Sequence, residues 1–235
     1  MKQKNIAIIP ARSGSKRIPH KNIKSFLGKP IIAYSIEVAL QSGLFDEVMV
    51  STDDEKIADI ARKYGAKVPF LRSLKTSDDY AVLSDVVLEV INNYDNKLNM
   101  HFDNICCILA TAPFIEVSDL EMAIQKLQST NVEAAFPVVE YDFPIQRALK
   151  VNHHKVEMFW PEFKNIRSQD LEPAFHDAGL FYWVKNSVFI NQKTLWPKNT
   201  IGIKISRFKA QDIDTPEDWL LAELKYKLLK SETEI

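Results

Sequence analysis

Apolar residues recur along this chain in two rhythms, short continuous runs and helical spacing, and the two alternate. Ile6-Ala-Ile-Ile9 is an unbroken apolar run ended by Pro10, right in length and composition for a buried strand. Pro30 opens Ile31-Ile-Ala-Tyr-Ser-Ile-Glu-Val-Ala-Leu40, a helix with proline where its missing N–H costs nothing, and Gly43 closes it. Glu47-Val-Met-Val50 reads as a short strand running into Ser51-Thr-Asp-Asp54. Ile57, Ile60, Ala61 and Tyr64 share one face of a helix over Glu55 to Tyr64, with Gly65 as its stop. Lys67-Val-Pro-Phe70 reads as another short strand, edge-like because of its proline. Val82, Val86, Val87, Val90 and Ile91 form the stripe of a helix over Asp79 to Tyr94. Asp103 to Leu109 is the most apolar strand, hence central, and stops at Ala110-Thr-Ala-Pro-Phe114. Ser118-Asp-Leu-Glu121 is a capping box for a helix to about Gln128, and Ala134 to Val139 is a strand again. Strand, helix, strand, helix at this spacing predicts an α/β fold, a mostly parallel sheet covered by helices.

The pattern loosens over 140–173. Short two-fold alternations, Ala148-Leu-Lys-Val151 and Val156-Glu-Met-Phe-Trp160, are interrupted by Pro144, Asn152, His153, His154 and Pro161. This predicts a small antiparallel lobe inserted in a single domain spanning 1–235, covering either a pocket or a partner. Ala178 to Val184 and Ile201 to Ile205 return as core strands. Thr215-Pro216-Glu217-Asp218 starts a last helix to about Leu229: an N-cap threonine, proline at the first helical position, and acids near the positive end.

Composition narrows the class. With 235 residues and 46% apolar content the chain can bury one substantial core, and 26% charged residues exclude a disordered chain. No run approaches the roughly 18 apolar residues of a membrane-spanning helix, and the N-terminus enters a strand directly, so the cytoplasm is the expected location. A formal net charge of −1 gives no general attraction for nucleic acid, so any anion binding is local. Cys106 and Cys107 are adjacent in a strand and point to opposite faces, which predicts small core residues and neither a metal pair nor a disulfide.

Charge is concentrated in one place. Between Arg12 and Lys29 there are six Lys or Arg and no Asp or Glu. A strand running into a loop of Ser13, Gly14, Ser15 and Lys16 suits a polyphosphate: small residues admit backbone N–H groups to its oxygens and the cations neutralise it. The alternative is a solvated basic turn. Neither the P-loop nor the dinucleotide glycine signature is present. Asp212-Ile-Asp214 is the second informative spot, since in extended backbone residues i and i+2 share a face. Two such carboxylates favour Mg²⁺, which binds through one or two carboxylates plus substrate phosphates; the alternative is that Asp214 merely helps cap the following helix. Ser51 to Asp54 either borders a ligand or caps the next helix, the cap being the favoured reading. Arg72 lies in a loop with Ser77, Asp78 and Asp79, able to meet phosphate or ribose oxygens.

Taken together, Ile9-Pro-Ala-Arg-Ser-Gly-Ser-Lys-Arg-Ile-Pro-His-Lys-Asn22, Ser51-Thr-Asp-Asp54, Arg72 followed by Asp79, Thr111-x-Pro113, Gly179-x-x-Tyr182 and Asp212-Ile-Asp214 resemble the CMP-sialic acid synthetases, the acylneuraminate cytidylyltransferases. The resemblance covers nearly the whole chain. It implies a three-layer, Rossmann-like mixed sheet of the nucleotide-diphospho-sugar transferase type with a small dimerisation lobe, here 140–173, and a homodimer. It implies Mg²⁺-dependent coupling of CTP to an acidic nine-carbon sugar with release of pyrophosphate. On it, Ala11, Arg12, Ser13, Gly14, Ser15, Lys16, Lys21, Asn22 and Arg72 bind the nucleotide, with Arg12, Lys16 and Lys21 on the β- and γ-phosphates. Asp212 and Asp214 are the metal ligands, and these five charged residues make the catalytic set.

Two departures bear on the sugar. The family's glutamine after the central strand is replaced within Ala110-Thr-Ala-Pro113, and a basic residue before the tyrosine strand gives way to His176-Asp-Ala-Gly179. Losing a donor from a buried polar pocket changes which hydroxyl can be bound there. Both stretches are similar to the bacterial branch acting on pseudaminic acid, a trideoxy relative with a methyl in place of the terminal hydroxyl, whose product feeds surface glycans such as those of flagellin. Ala110, Thr111, His176, Asp177 and Gly179 are the expected sugar-side residues. The alternatives are N-acetylneuraminic, legionaminic or 3-deoxyoctulosonic acid, and, more remotely, a metal-dependent kinase or a non-catalytic sugar-binding protein.

Overall fold

A computed structural model describes residues 3–78, 80–129 and 131–232. In chain order the strands are β1 (Asn5–Pro10), β2 (Ser25–Phe26), β3 (Lys29–Pro30), β4 (Glu47–Ser51), β5 (Asn104–Ile108), β6 (Ala134–Glu140), β7 (Leu149–Asn152), β8 (Lys155–Met158), β9 (Phe175–Asp177), β10 (Phe181–Lys185) and β11 (Thr200–Lys204). The helices are α1 (Ile31–Gln41), α2 (Glu55–Lys63), α3 (Leu83–Asn93), α4 (Val117–Leu127), α5 (Asn186–Gln192) and α6 (Pro216–Glu232).

The main sheet runs β11-β6-β10-β5-β1-β4, with β9 also on β6. β4, β1 and β5 are mutually parallel, as are β6 and β11, whereas β10 is antiparallel to both β5 and β6. Strands buried on both faces read as continuous apolar runs, and the two faces are separate cores. Ala7, Ile9, Val50, Cys106 and Trp183 pack beneath α1, α2 and α4, while Ile6, Ile8, Met49, Cys107 and Tyr182 pack beneath α3 and α5. Cys106 and Cys107 are both buried and unpaired, one in each core. Three layers result, with β5 central as expected.

A third cluster draws the two informative ends of the chain together. Ile18 and Phe26 from the basic segment, Phe114 from beyond β5, and Ile213 and Trp219 from the last stretch are buried in it. Phe26 meets Tyr34, Trp219 and Tyr226 edge-on at 5.5, 5.6 and 5.7 Å, contacts each adding roughly 1 kcal/mol beyond area burial. This packing fixes the start of α6 against the β2–β3 hairpin.

Several expectations need correction. Lys67 to Phe70 is no strand: only Lys67 bridges Met49, because Pro69 lacks the N–H a ladder requires. The helix expected from Asp79 begins at Leu83, and Asp79 lies outside the described residues. α4 is capped two residues earlier than its sequence signature, by Glu116 and Asp119 in a reciprocal box. α5 and the β2–β3 hairpin, whose turn places Leu27 and Gly28 at positive φ, were not expected. The segment 140–173 does contain an antiparallel hairpin, β7 with β8.

Candidate active site

The carboxyl ends of β1, β4 and β5 open into one cleft, where ligands bind in open α/β sheets. Beyond Pro10 the chain turns: Ala11 is buried and its N–H goes to the Ser51 carbonyl at 2.9 Å. Asn22, also buried, donates to the Arg12 carbonyl at 2.9 Å and ties the far end of the loop to its beginning. Asp53 holds the middle, accepting from the Ser13 N–H at 2.9 Å and the Ser13 hydroxyl at 2.7 Å. Burial pushes the Asp53 carboxyl upward, but the Ser13 bonds and the nearby Arg72 charge outweigh it and hold it below the usual range. Asp54, its neighbour, is the cap of α2, accepting from Ile57 N–H at 2.9 Å. The two adjacent acids therefore split the two readings open in the sequence, one bordering the site and one capping the helix.

Arg72 is buried beneath this loop. Its guanidinium donates to Ser51 Oγ at 3.1 Å and to the Ser51 carbonyl at 2.5 Å. Burial draws its pKa down against the opposing pull of Asp53 and Glu89. Glu89 of α3 clamps the turn after Arg72, accepting from Ser73 N–H at 2.8 Å, Ser73 Oγ at 2.7 Å and the Thr76 hydroxyl. Together these groups wall a cavity of about 430 Å³ lined by Arg12, Gly14, Ser15, Lys16, Lys21, Asn22, Arg72, Ala110, Thr111 and Asp214. Arg12 Nη1 also donates to the Asp78 carbonyl at 2.8 Å. Ala11 and Ser13 stand behind this wall, so of the expected nucleotide-side residues these two shape the loop from outside the cavity.

The acidic pair sits at the other end of the same cleft. Ile213 is buried, 1% exposed, while Asp212 and Asp214 turn the opposite way, the alternation expected of extended backbone. Asp214 meets Arg17 at 2.8 Å and Lys21 at 3.3 Å, and Lys21 also donates to the Ile213 carbonyl at 2.7 Å. Two early cations, Arg17 and Lys21, are thus in direct contact with the second of the late carboxylates, Asp214. Asp212 has no salt-bridge partner among the described residues. Burial, then the Asp214 charge, holds its carboxyl above the usual range. Of the pair, Asp212 is therefore the carboxylate without a cation in contact among the described residues. Among the described residues no group of three or more His, Cys, Asp or Glu could hold a metal by itself, but two carboxylates beside a cationic cavity are a donor set that fits Mg²⁺ where substrate phosphates complete its shell.

A second cavity, about 690 Å³, adjoins the first across Leu109, which lines both. It is bordered by Glu140, Tyr141, Asp142, His176, Asp177, Gly179, Tyr182, Arg207, Gln211, Asp212 and Lys225. Its wall is made by a break between β9 and β10, where Gly179 takes φ +64°, a left-handed conformation that suits glycine. Asp177 accepts from Gly179 N–H at 2.9 Å and from the Tyr182 hydroxyl; burial, then Asp177, pushes the Tyr182 hydroxyl well above its ordinary pKa. The five expected sugar-side residues divide: His176, Asp177 and Gly179 face this second cavity, and Ala110 and Thr111 face the first. Glu89, Arg207 and Lys225 had no sequence signal of their own beyond being charged, whereas Asp53 and Arg17 lie inside motifs that give neither side chain a role of its own.

Asp214 on one cavity and Asp212 on the other place the acidic pair where two bound molecules would meet. Comparison with known proteins agrees in kind. The family model described as Cytidylyltransferase matches residues 6–203. A pseudaminic acid cytidylyltransferase of Campylobacter jejuni serotype O:2 is 44% identical over 226 residues, covering 96% of this chain and 97% of that protein. A CMP-N,N'-diacetyllegionaminic acid synthase of Legionella pneumophila is 32% identical over 228 residues, covering 93% and 94%. A CMP:2-keto-3-deoxy-manno-octonic acid synthetase solved with CTP shares the fold, with a TM-score of 0.70 over 97% of this chain and 99% of that one at 21% identity. A match that runs from the first strand of the sheet to its last, with relatives similar along nearly their whole length, leaves one conclusion: the chain belongs to the cytidylyltransferase family.

Proposed function

We propose that this cytidylyltransferase couples CTP to pseudaminic acid, giving CMP-pseudaminic acid and pyrophosphate. The observation that carries the two-substrate reading is the acidic pair bridging two adjoining cavities, one cationic and one mixed. The choice of sugar is supported by the 44% identity to a pseudaminic acid enzyme, against 32% to a legionaminic acid one.

In this reading the triphosphate lies in the first cavity. Arg12, Lys16 and Lys21 neutralise the β- and γ-phosphates and favour pyrophosphate as leaving group, with Gly14 and Ser15 admitting it closely. Arg72 and Asn22 hold the nucleotide end of the cleft. The sugar lies in the second cavity, oriented by His176, Asp177 and Gly179. Its anomeric oxygen bonds to the α-phosphorus as the bond to the β-phosphate oxygen breaks, and the hydroxyl proton is released to solvent. Most of the rate comes from holding the two in line. Asp212 and Asp214 would hold Mg²⁺, which supplies charge neutralisation on the phosphates when bound.

A homodimer with 140–173 as its arm fits the exposed apolar residues there, among them Phe143, Val151, Val156 and Phe159. Two unpaired buried cysteines are consistent with a cytoplasmic setting, and no helix among the described residues is long and apolar enough to cross a membrane. A role in supplying surface glycans such as those of flagellin rests on the family resemblance.

The test is kcat/KM for pseudaminic and N-acetylneuraminic acid side by side, following pyrophosphate from CTP. Preference for pseudaminic acid is expected. Equal or better use of N-acetylneuraminic acid overturns the choice of sugar, and orthophosphate in place of pyrophosphate overturns the reaction type.

A further inference from the structure

A sugar acid brings its own negative charge into a cavity that is already acidic. Glu140, Asp142, Asp177 and Asp212 all face the second cavity, and its long-chain cations are Arg207 and Lys225. Arg207 is committed to an ion pair with Asp142. Lys225 is different. It projects from the middle of α6, half-buried, and its ammonium donates to two neutral oxygens, the Ala210 carbonyl at 2.9 Å and Gln211 Oε1 at 2.9 Å. Among the described residues it has no carboxylate partner. An ammonium carries three donors, so one remains for the cavity it lines. A desolvated cation whose hydrogen bonds go only to neutral oxygens is unfavourable until an anion arrives, and burial draws Lys225 below its ordinary pKa against the pull of Asp142, which is itself paired with Arg207.

We infer that Lys225 receives the carboxylate of the acceptor sugar. This rests on reading the second cavity as the acceptor site and names the group that makes it select acids. In a 2-keto sugar acid the carboxylate is bonded to the anomeric carbon, the same carbon that bears the attacking hydroxyl. Gripping that carboxylate therefore sets the hydroxyl. Lys225 holds the Ala210–Gln211 segment that leads directly into Asp212, so the anion it captures lies beside the acidic pair, at the junction of the two cavities. Without a cation there, Asp212 would repel the substrate. A neutral sugar draws no comparable benefit.

The full-length enzyme is assayed with pseudaminic acid and with its neutral C1 carboxamide, as wild type, Lys225→Met and Lys225→Arg. Each variant's thermal melt is recorded, and Lys225→Gln replaces the methionine variant should that one not fold. Charged hydrogen bonds of this kind predict a roughly ten- to hundredfold rise in KM for the acid in Lys225→Met. KM for CTP should stay within about twofold, the carboxamide should be used equally by wild type and variant, and Lys225→Arg should recover most of the loss. An equal rise for acid and carboxamide, a fall in kcat with both KM values unchanged, or no effect at all overturns the assignment; the second of these outcomes would mean that Lys225 acts only by bracing Gln211. Wild-type enzyme that releases no pyrophosphate with any sugar acid would instead overturn the acceptor-site reading itself.

Discussion

Asp53→Ala tests whether the basic loop is shaped before its ligand arrives. In the structure one carboxylate restrains Ser13 twice, through the backbone N–H at 2.9 Å and the hydroxyl at 2.7 Å. Hydrogen bonds to a charged acceptor contribute about 1.5–3 kcal/mol each, and the half-exposed position argues for the low end, so the pair is worth roughly 2–3 kcal/mol. If the loop is loose in the variant, that ordering cost falls on CTP binding. At 1.4 kcal/mol per factor of ten, KM for CTP rises roughly thirty- to hundredfold. The assay is pyrophosphate release at saturating sugar with CTP varied, beside a thermal melt, and Asp53→Asn should fall between variant and wild type. The pH dependence has a definite sign. A carboxyl held below its ordinary value contributes fully above that value and loses its contribution as pH falls through the depressed one. In the wild type, then, this group loosens the loop only below about pH 4. A KM for CTP within about twofold of wild type, with only the melting temperature lowered, would show that Asp53 is a strut and refute the preorganisation argument.

Glu89→Gln should raise KM for CTP about fivefold with little change in kcat, because it slackens the turn clamped behind Arg72 without touching the ligand; unchanged KM in a melt-stable variant would show that Arg72 needs no such support. Asp212→Asn should lower kcat by about a hundredfold or more and weaken CTP binding, measured calorimetrically without sugar, by less than Asp214→Asn does, since Asp214 and not Asp212 lines the cavity proposed for the nucleotide. Equal loss of CTP binding in this variant would place both carboxylates on the nucleotide.

What the sequence made legible follows from how local each signal is. The apolar runs of β1, β5 and β6 identify buried strands, and adjacency alone sends Cys106 and Cys107 to opposite cores. Direction is not local. Ala178 to Val184 is apolar on both faces whichever way it runs, so the antiparallel course of β10 between two parallel neighbours is decided by its partners. Asp53 and Asp54 show the same limit at the level of one side chain: both types suit an N-cap, and only the loop opposite decides which one turns away. Lys225 lies among Lys227 and Lys230 on a polar helix and reads as one more solvated cation until the Ala210–Gln211 segment is seen packed against it. Ala110 and Thr111 follow β5 as expected but face the cationic cavity, because Leu109 divides the cleft at that point.

The reversed strand β10 has an effect on how this molecule can change over time. Because it runs opposite to β5, the residues that precede it reach the same rim as the residues that follow β1 and β5. One wall of the cleft therefore comes mostly from the first 111 residues, and the other from the stretch between 139 and 225. With the substrates placed as proposed, substitutions that retune the acceptor can accumulate in the later stretch while the grip on the triphosphate stays as it is. A common donor-activating half paired with interchangeable sugar-selecting halves is what such a division would produce.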